Sequence, residues 1–289
     1  MAAKPRFIID TVLKDPNAGM NRQIANSVLA EHLAAAVTKE DIHHLKNVLR
    51  ISIGDEIELL ERRTCALYSC KVLALASDIS LELHGVAELG SGEHGPTLIV
   101  ALTKPALAAT MVEKCTEIGV RSLVLYHADR SNRIPRDSSG SEVIAGRLRR
   151  VVDAAVKQCR SRIIPEVAIY HSLLQALESQ ESTINGSNSG KLLCLAPWER
   201  LPHHQPLTML NYLIPNTIPS PKSHSSIEST VKTDDLYIVI GPEGGLTTEE
   251  INLAERFNYQ PVSLGAQTLR VDTAAMSACL LYQVAQSNR

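Results

Sequence analysis

Aromatic residues are scarce, at 3% of 289 residues, so any core has to be built mostly from aliphatic side chains. No apolar run approaches the roughly 20 residues that a membrane-spanning helix needs. The six cysteines, Cys65, Cys70, Cys115, Cys159, Cys194 and Cys279, contain no CxxC pair. That argues against a disulfide scaffold and against a structural zinc site. No strong charge of one sign is present either. Lys and Arg number 29 against 31 Asp and Glu, a net charge of −2, which excludes a uniformly basic mode of nucleic-acid binding but permits a local basic face. The start, Met1-Ala2-Ala3-Lys4-Pro5-Arg6, lacks the apolar centre of a signal peptide. The expected setting is a reducing, cytoplasmic one, with an organelle open if a leader has been removed.

The apolar fraction of 44% and charged fraction of 21% belong to a folded protein, and the length suggests two domains. Residues 1–90 read as a small, mainly β unit. Arg50–Leu59 alternates around Ile51, Ile53, Ile57 and Leu59 with a turn at Gly54-Asp55, as a strand pair would. Ala66–Leu75 and Ile79–Val86 continue as strands. Leu89–Pro96 is the candidate linker.

From Thr97 the rhythm becomes strand, helix, strand. Thr97–Leu102, Ser122–Tyr126, Leu192–Ala196, Leu236–Ile240 and Pro261–Leu264 are short apolar strands. Leu107, Met111, Cys115 and Ile118 mark one helix face, ended by Gly119. Ile144, Leu148, Val151, Ala155 and Cys159 mark another. This alternation predicts an α/β fold with a mostly parallel sheet. Two polar stretches, 179–190 and 202–235, read as surface insertions without structure.

Chemistry concentrates near the carboxyl end. Strand 236–240 runs into Gly241-Pro242-Glu243-Gly244-Gly245, and Thr247 with Glu250 forms a capping box for the next helix. Such a loop lets backbone approach a ligand and offers N–H donors. It has neither the spacing nor the lysine of a P-loop, and it is not GxGxxG. A second loop, Leu264-Gly265 through Arg270-Val271-Asp272-Thr273, precedes a helix expected over 274–284, with Asp272 or Thr273 as its cap and burial at a core or subunit interface. Arg270, just before that helix, would be costly to bury without a partner. Between Arg121 and Arg162 lie ten basic and four acidic residues, a charge of +6 in 42 residues. That is the footprint of a phosphate backbone. His43-His44 has no third ligand in view, so no metal is expected.

Leu195-Ala196-Pro197, Ile240-Gly241-Pro242-Glu243-Gly244-Gly245 and Leu264-Gly265 through Leu269-Arg270-Val271-Asp272-Thr273-Ala274, in this order, resemble the RsmE family. Its members are S-adenosylmethionine-dependent methyltransferases of uridine N3 in 16S-type small-subunit ribosomal RNA. Pro5-Arg6-Phe7, His43-His44-Leu45 with Val48-Leu49-Arg50, Lys114 through Val120, and Asp129-Arg130-Ser131 are similar to further motifs of that family. Lys157-Gln158-Cys159-Arg160 stands where the family often has Glu-Gln followed by a Cys/Ser-Gly-Arg element.

The resemblance implies a SPOUT-type parallel sheet with a C-terminal trefoil knot over 97–289. A PUA-like β-barrel over 1–90 precedes it, and the protein would be a homodimer. The knot rests on resemblance alone, since generic topology disfavours one. The backbone of Leu195, Ala196, Pro197, Ile240, Gly241, Gly245, Leu264, Gly265, Leu269 and Thr273 is then expected to cradle the cofactor. Arg270 is the expected stabiliser of charge on the uracil ring, with Arg6 as a second candidate and Glu243 as candidate base. Arg6, Arg50, Arg130, Lys157, Gln158 and Arg160 are expected on RNA. A metabolic enzyme with a nucleotide cofactor would also explain the glycine loops, but not the basic segment. A non-catalytic RNA-binding assembly factor would explain both.

Overall fold

The computed structural model describes residues 4–10, 22–88, 95–130, 138–181, 190–195, 207–213 and 236–287. They form two compact units, 1–93 with 156–164, and 94–155 with 165–289. The expected break near residue 90 therefore has an addition, because a segment from the middle of the chain clusters with the first unit.

In the first unit, β1 (Arg6–Ile9), β2 (Glu56–Glu61), β3 (Leu67–Leu75) and β4 (Ile79–Ala87) form one sheet in that order. β1 runs parallel to β2, and the rest are antiparallel. Tyr68, Cys70 and Val72 alternate inward along β3, the period-two pattern of a half-buried strand. Among the described residues β4 is not paired with β1.

The mainly-β reading also omits two helices, α1 (Arg22–Ala36) and α2 (Lys39–Asn47). The signal for α1 was present: Leu29, Leu33 and Val37 recur every four residues in an alanine-rich stretch and are buried. Thr38 separates the helices as an N-cap. Its hydroxyl accepts from Asp41 N–H, and Asp41 accepts in return from Thr38 N–H. The expected strand pair over 50–59 is one strand only. Residues 51–55 are irregular, and the turn lies at Ile53-Gly54.

The second unit holds β5 (Thr97–Ala101), α3 (Pro105–Ile118), β6 (Ser122–Tyr126), α4 (Ser138–Cys159, its last turn in the first unit), β7 (Glu166–Tyr170), α5 (Leu173–Glu181) and β8 (Gly190–Leu195). It continues with β9 (Leu207–Thr208), α6 (Met209–Leu213), β10 (Leu236–Ile240), α7 (Thr248–Arg256), β11 (Gln260–Ser263) and α8 (Val271–Ser287). All seven strands are parallel, in the order β7-β6-β5-β10-β8-β11-β9.

β5 and β10 are buried at every residue, as strands covered on both faces must be. Ile99, Val124, Tyr237 and Val239 point to the face under α5 and α7, while α3 packs on α8. The chain leaves β8, returns to mid-sheet as β10, and crosses back past β8 to reach β11. That re-crossing suits the knotted path implied by the resemblance.

Three expectations need correction here. α5 reaches Glu181, so the first polar stretch begins inside a helix. β9 and α6 fall inside 202–235, and Met209 is fully buried, so that stretch is not wholly without structure. α8 begins at Val271 rather than 274, with Arg270 C=O accepting from Ala274 N–H, and Asp272 lies in its first turn instead of capping it. The candidate linker lies largely outside the described residues. Among the described residues, no helix is long and apolar enough to cross a membrane.

Candidate active site

Parallel pairing puts the informative loops on one edge. Ile240 pairs with Cys194 across β10 and β8, Cys194 with Val262 across β8 and β11, and Leu195 with Ser263. β10, β8 and β11 thus end at the same height, at Ile240, Leu195 and Ser263, on three adjacent strands. At about 4.8 Å between strands, the two glycine loops start about 10 Å apart, with the exit of β8 between them.

The first loop is tightly specified. A Cβ on Gly241 would lie 2.7 Å from Leu246 Cγ, so only glycine lets that buried leucine close the turn. Gly245 has φ +75° and donates to Pro242 C=O at 2.9 Å. Thr247 Oγ1 accepts from Glu250 N–H at 3.1 Å, and Glu250 accepts from Thr247 N–H at 2.8 Å, as the sequence reading had it. The same buried carboxylate also accepts from Asp129 N–H at 3.2 Å, which ties the end of β6 to this loop. Glu243 is exposed, and its Oε1 accepts from Thr103 Oγ1 at 3.0 Å.

The second loop is open. Gly265 has φ +129° with nothing within 4 Å of a notional Cβ, and residues 265–268 are exposed. Ser263 Oγ both accepts from Gly265 N–H and donates to Gly265 C=O, which fixes the first bend. Leu264, Leu269 and Thr273 are half-buried around it. Open backbone beside a glycine that only glycine can be is what a cradle for a cofactor requires. Arg270 is 66% exposed, with Nε 3.4 Å from Asp272 Oδ1. The cost expected for burying it therefore does not arise. Ala196 and Pro197 lie outside the described residues; Leu195 is the last residue of β8.

Several expected RNA contacts have other work. Arg6 is 5% exposed. Its Nε and Nη2 each lie 2.9 Å from Glu58 Oε2, and its Nη1 donates to Arg160 C=O and Ser161 C=O at 2.6 and 2.8 Å. A guanidinium so engaged could hold a phosphate or a uracil carbonyl only by breaking a nearly buried ion pair within the first unit. Arg160 donates to the same Glu58 oxygen at 2.7 Å and to Lys4 C=O at 2.9 Å. Lys157 lies 3.7 Å from Asp41 and over the Phe7 ring.

Arg130 bonds the first loop instead of standing free, donating toward Gly244 C=O at 3.5 Å and Leu246 C=O at 3.3 Å. Of the remaining basic residues between 121 and 162, Arg121 reaches Thr97 and Tyr237, Arg149 pairs with Glu142, and Arg162 donates to Ala87 and Glu88 carbonyls. Arg133 and Arg136 lie outside the described residues. The charge count thus overstated the free charge, because it could not see intramolecular partners. Arg147 and Arg150 are exposed on α4, one turn apart. Gln158 is exposed, and so is Arg50, which has φ +52°.

Thr103 and Glu250 were missed as site-building residues. The parallel register was the only available signal for Thr103, and the capping box hid the second role of Glu250.

A family model described as an RNA methyltransferase domain matches residues 94–283. One described as an RNA methyltransferase PUA domain matches residues 37–83. Ribosomal RNA small subunit methyltransferase E of Synechocystis sp. is 27% identical over 82% of this chain and 69% of its own length. The protein of that name from Bacillus subtilis is 23% identical over 89% of this chain and 92% of its own length. Among solved structures, a ribosomal RNA small subunit methyltransferase E from Neisseria gonorrhoeae bound to S-adenosyl methionine shares the fold, with TM-score 0.66, 19% identity and 98% of both chains covered. A probable rRNA-methyltransferase from Porphyromonas gingivalis does so with TM-score 0.65, 22% identity, and 87% of this chain and 93% of its own covered.

Proposed function

The chain belongs to the RNA methyltransferase family, and from that premise we propose that it methylates small-subunit ribosomal RNA from S-adenosylmethionine, at N3 of one uridine. The observation that carries this reading is that three adjacent parallel strands, β10, β8 and β11, end at one height with a glycine loop after the first and the last. Backbone of Leu195, Ala196, Pro197, Ile240, Gly241, Gly245, Leu264, Gly265 and Leu269, with Thr273, holds the cofactor. When bound, the cofactor supplies an electrophilic methyl group on a sulfonium.

The chain's own residues do the rest. Uracil N3–H belongs to the pairing edge, so the base has to be unpaired and presented edge-on. Its proton leaves as the new bond develops. Glu243, held in place by Thr103, is the acceptor within the loop. Arg270 is exposed and free to turn toward a uracil carbonyl, where a guanidinium stabilises the negative charge that accumulates. Arg50, Arg147, Arg150 and Gln158 hold the RNA strand.

A second copy of the chain covers α8, whose Leu280 and Val284 are 53% and 43% exposed one turn apart. The compartment that suits this activity is one that holds 16S-type ribosomal RNA, the cytoplasm first and an organelle as the alternative.

The test is incubation of small ribosomal subunits from methyl-deficient cells with labelled cofactor, then mapping of the product by mass spectrometry. One N3-methyluridine is expected. RNA binding without label would favour a non-catalytic assembly factor, and a methyl group on another atom would overturn the assignment.

A further inference from the structure

The first unit carries a groove of about 990 Å³ between α1, the start of α2 and β4. One wall is a stripe of α1 from Asn26 to Ala35, about 14 Å long at 1.5 Å per residue. The other wall is the unbroken run 78–83, about 17 Å of extended chain. Alternate side chains of a strand point to opposite faces, so a wall made of consecutive residues is the edge of the strand rather than one of its faces. β4 is the last strand of its sheet and pairs with β3 alone among the described residues. An outer strand presents N–H and C=O groups to whatever lies along it.

The floor is apolar. Ala30, Val37, Ile42, Ile79 and Leu81 belong to the core yet keep 5–7% exposure, and all five line the groove. Leu73, also on the groove, is 47% exposed. The charges around it are mostly acidic: Glu31, Asp78 and Glu82 against Lys39, all of them exposed. Glu82 meets His84 Nε2 at 3.2 Å, while Glu31 and Asp78 have no ion pair among the described residues. Three carboxylates against one ammonium repel a phosphate backbone, so this groove is not a path for RNA. Its length and its open side suit an extended chain rather than a compact small molecule, whose pockets bury most of its surface.

We propose that this groove binds an extended protein segment in which lysine or arginine alternates with apolar residues. About five residues span it. The two-residue period of an extended chain sends one set of side chains to the apolar floor and the other, cationic set toward Glu31, Asp78 and Glu82. The backbone of the segment lies along the outer edge of β4, the mode in which a peptide adds to a sheet. The proposal goes beyond the methyltransferase reading and does not depend on it.

The experiment selects phage-displayed random peptides of about ten residues, twice the span of the groove, on the immobilised full-length protein. Recovered peptides should alternate Lys or Arg with apolar residues. Their affinity is then measured by calorimetry for wild type, for Glu31→Lys combined with Glu82→Lys, and for Ala35→Trp, with a melting scan of each. Ala35 is exposed on the wall of the groove, so a tryptophan there obstructs it without entering the core. Both variants should melt close to wild type and bind the recovered peptides about tenfold or more weakly. A variant that melts lower is replaced by Ser80→Trp, exposed on the opposite wall. No enrichment of basic, apolar peptides, or equal binding by all the proteins, would overturn the proposal. Loss of ribosomal RNA affinity in Ala35→Trp would give the groove to RNA, and a changed oligomeric state in that variant would give it to a second copy; either result overturns it too. None of these measurements involves methyl transfer, so failure of the activity reading would leave them standing.

Discussion

Replacing Glu58 by leucine tests whether Arg6 is structural or chemical. Glu58 Oε2 receives Arg6 through two nitrogens at 2.9 Å and Arg160 at 2.7 Å. Without the carboxylate, Arg160, at 35% side-chain exposure, can turn to water, but Arg6, at 5%, cannot. A buried cation stripped of its partner costs about 3–5 kcal/mol. Arg6→Met should cost less. Glu58 keeps Arg160, and the main loss is hydrogen bonding to the carbonyls of residues 160 and 161, about 1–3 kcal/mol. The pair replaced together, Arg6→Met with Glu58→Leu, should recover much of the loss, because neither charge is left alone. For a unit of about this size each kcal/mol moves the melting temperature by about 4–8 °C, so Glu58→Leu should lower it by more than about 10 °C in a calorimetric scan. The reasoning fails if both single variants melt within about 2 °C of wild type while Arg6→Met loses turnover. That outcome would return Arg6 to the catalytic role implied by its sequence motif.

Arg270→Ala should abolish most methyl transfer yet leave stability within about 0.5 kcal/mol, since the side chain is exposed; a melting scan beside a label-transfer assay checks both. Gly245→Ala puts a Cβ on a residue at φ +75°, which should lower the stability of the fold by about 1–2 kcal/mol in a denaturant titration. Burial pushes the thiols of Cys70 and Cys115 up to about 12 and also raises that of Cys279. A raised value keeps these thiols protonated at pH 8. Brief alkylation of the native protein followed by peptide mapping should therefore label Cys65 and Cys159, and leave those three unmodified.

The strands from Thr97 onward were legible because a sheet covered on both faces needs unbroken apolar runs, and 97–101, 122–126 and 236–240 supply them. The Thr247–Glu250 box was legible because capping is local, involving residues three apart. The first unit misled because α1 uses alanines, which carry little hydrophobic contrast, so its four-residue stripe is faint beside the alternation of β3. β7 and α5 are as long as β5 and α7 but were not read, β7 having a burial pattern of only one fully buried residue.

Sequence by itself determined the alternating architecture, the two glycine loops and the Thr247–Glu250 cap, since these depend on residues a few positions apart. Only tertiary structure decided which charges are spent. Arg6 meets Glu58 across 52 positions, Arg130 meets Gly244 across 114, and Thr103 meets Glu243 across 140. Such pairings follow from strand order and register, and a guanidinium that bonds a carbonyl inside the protein reads in the chain like one that faces water.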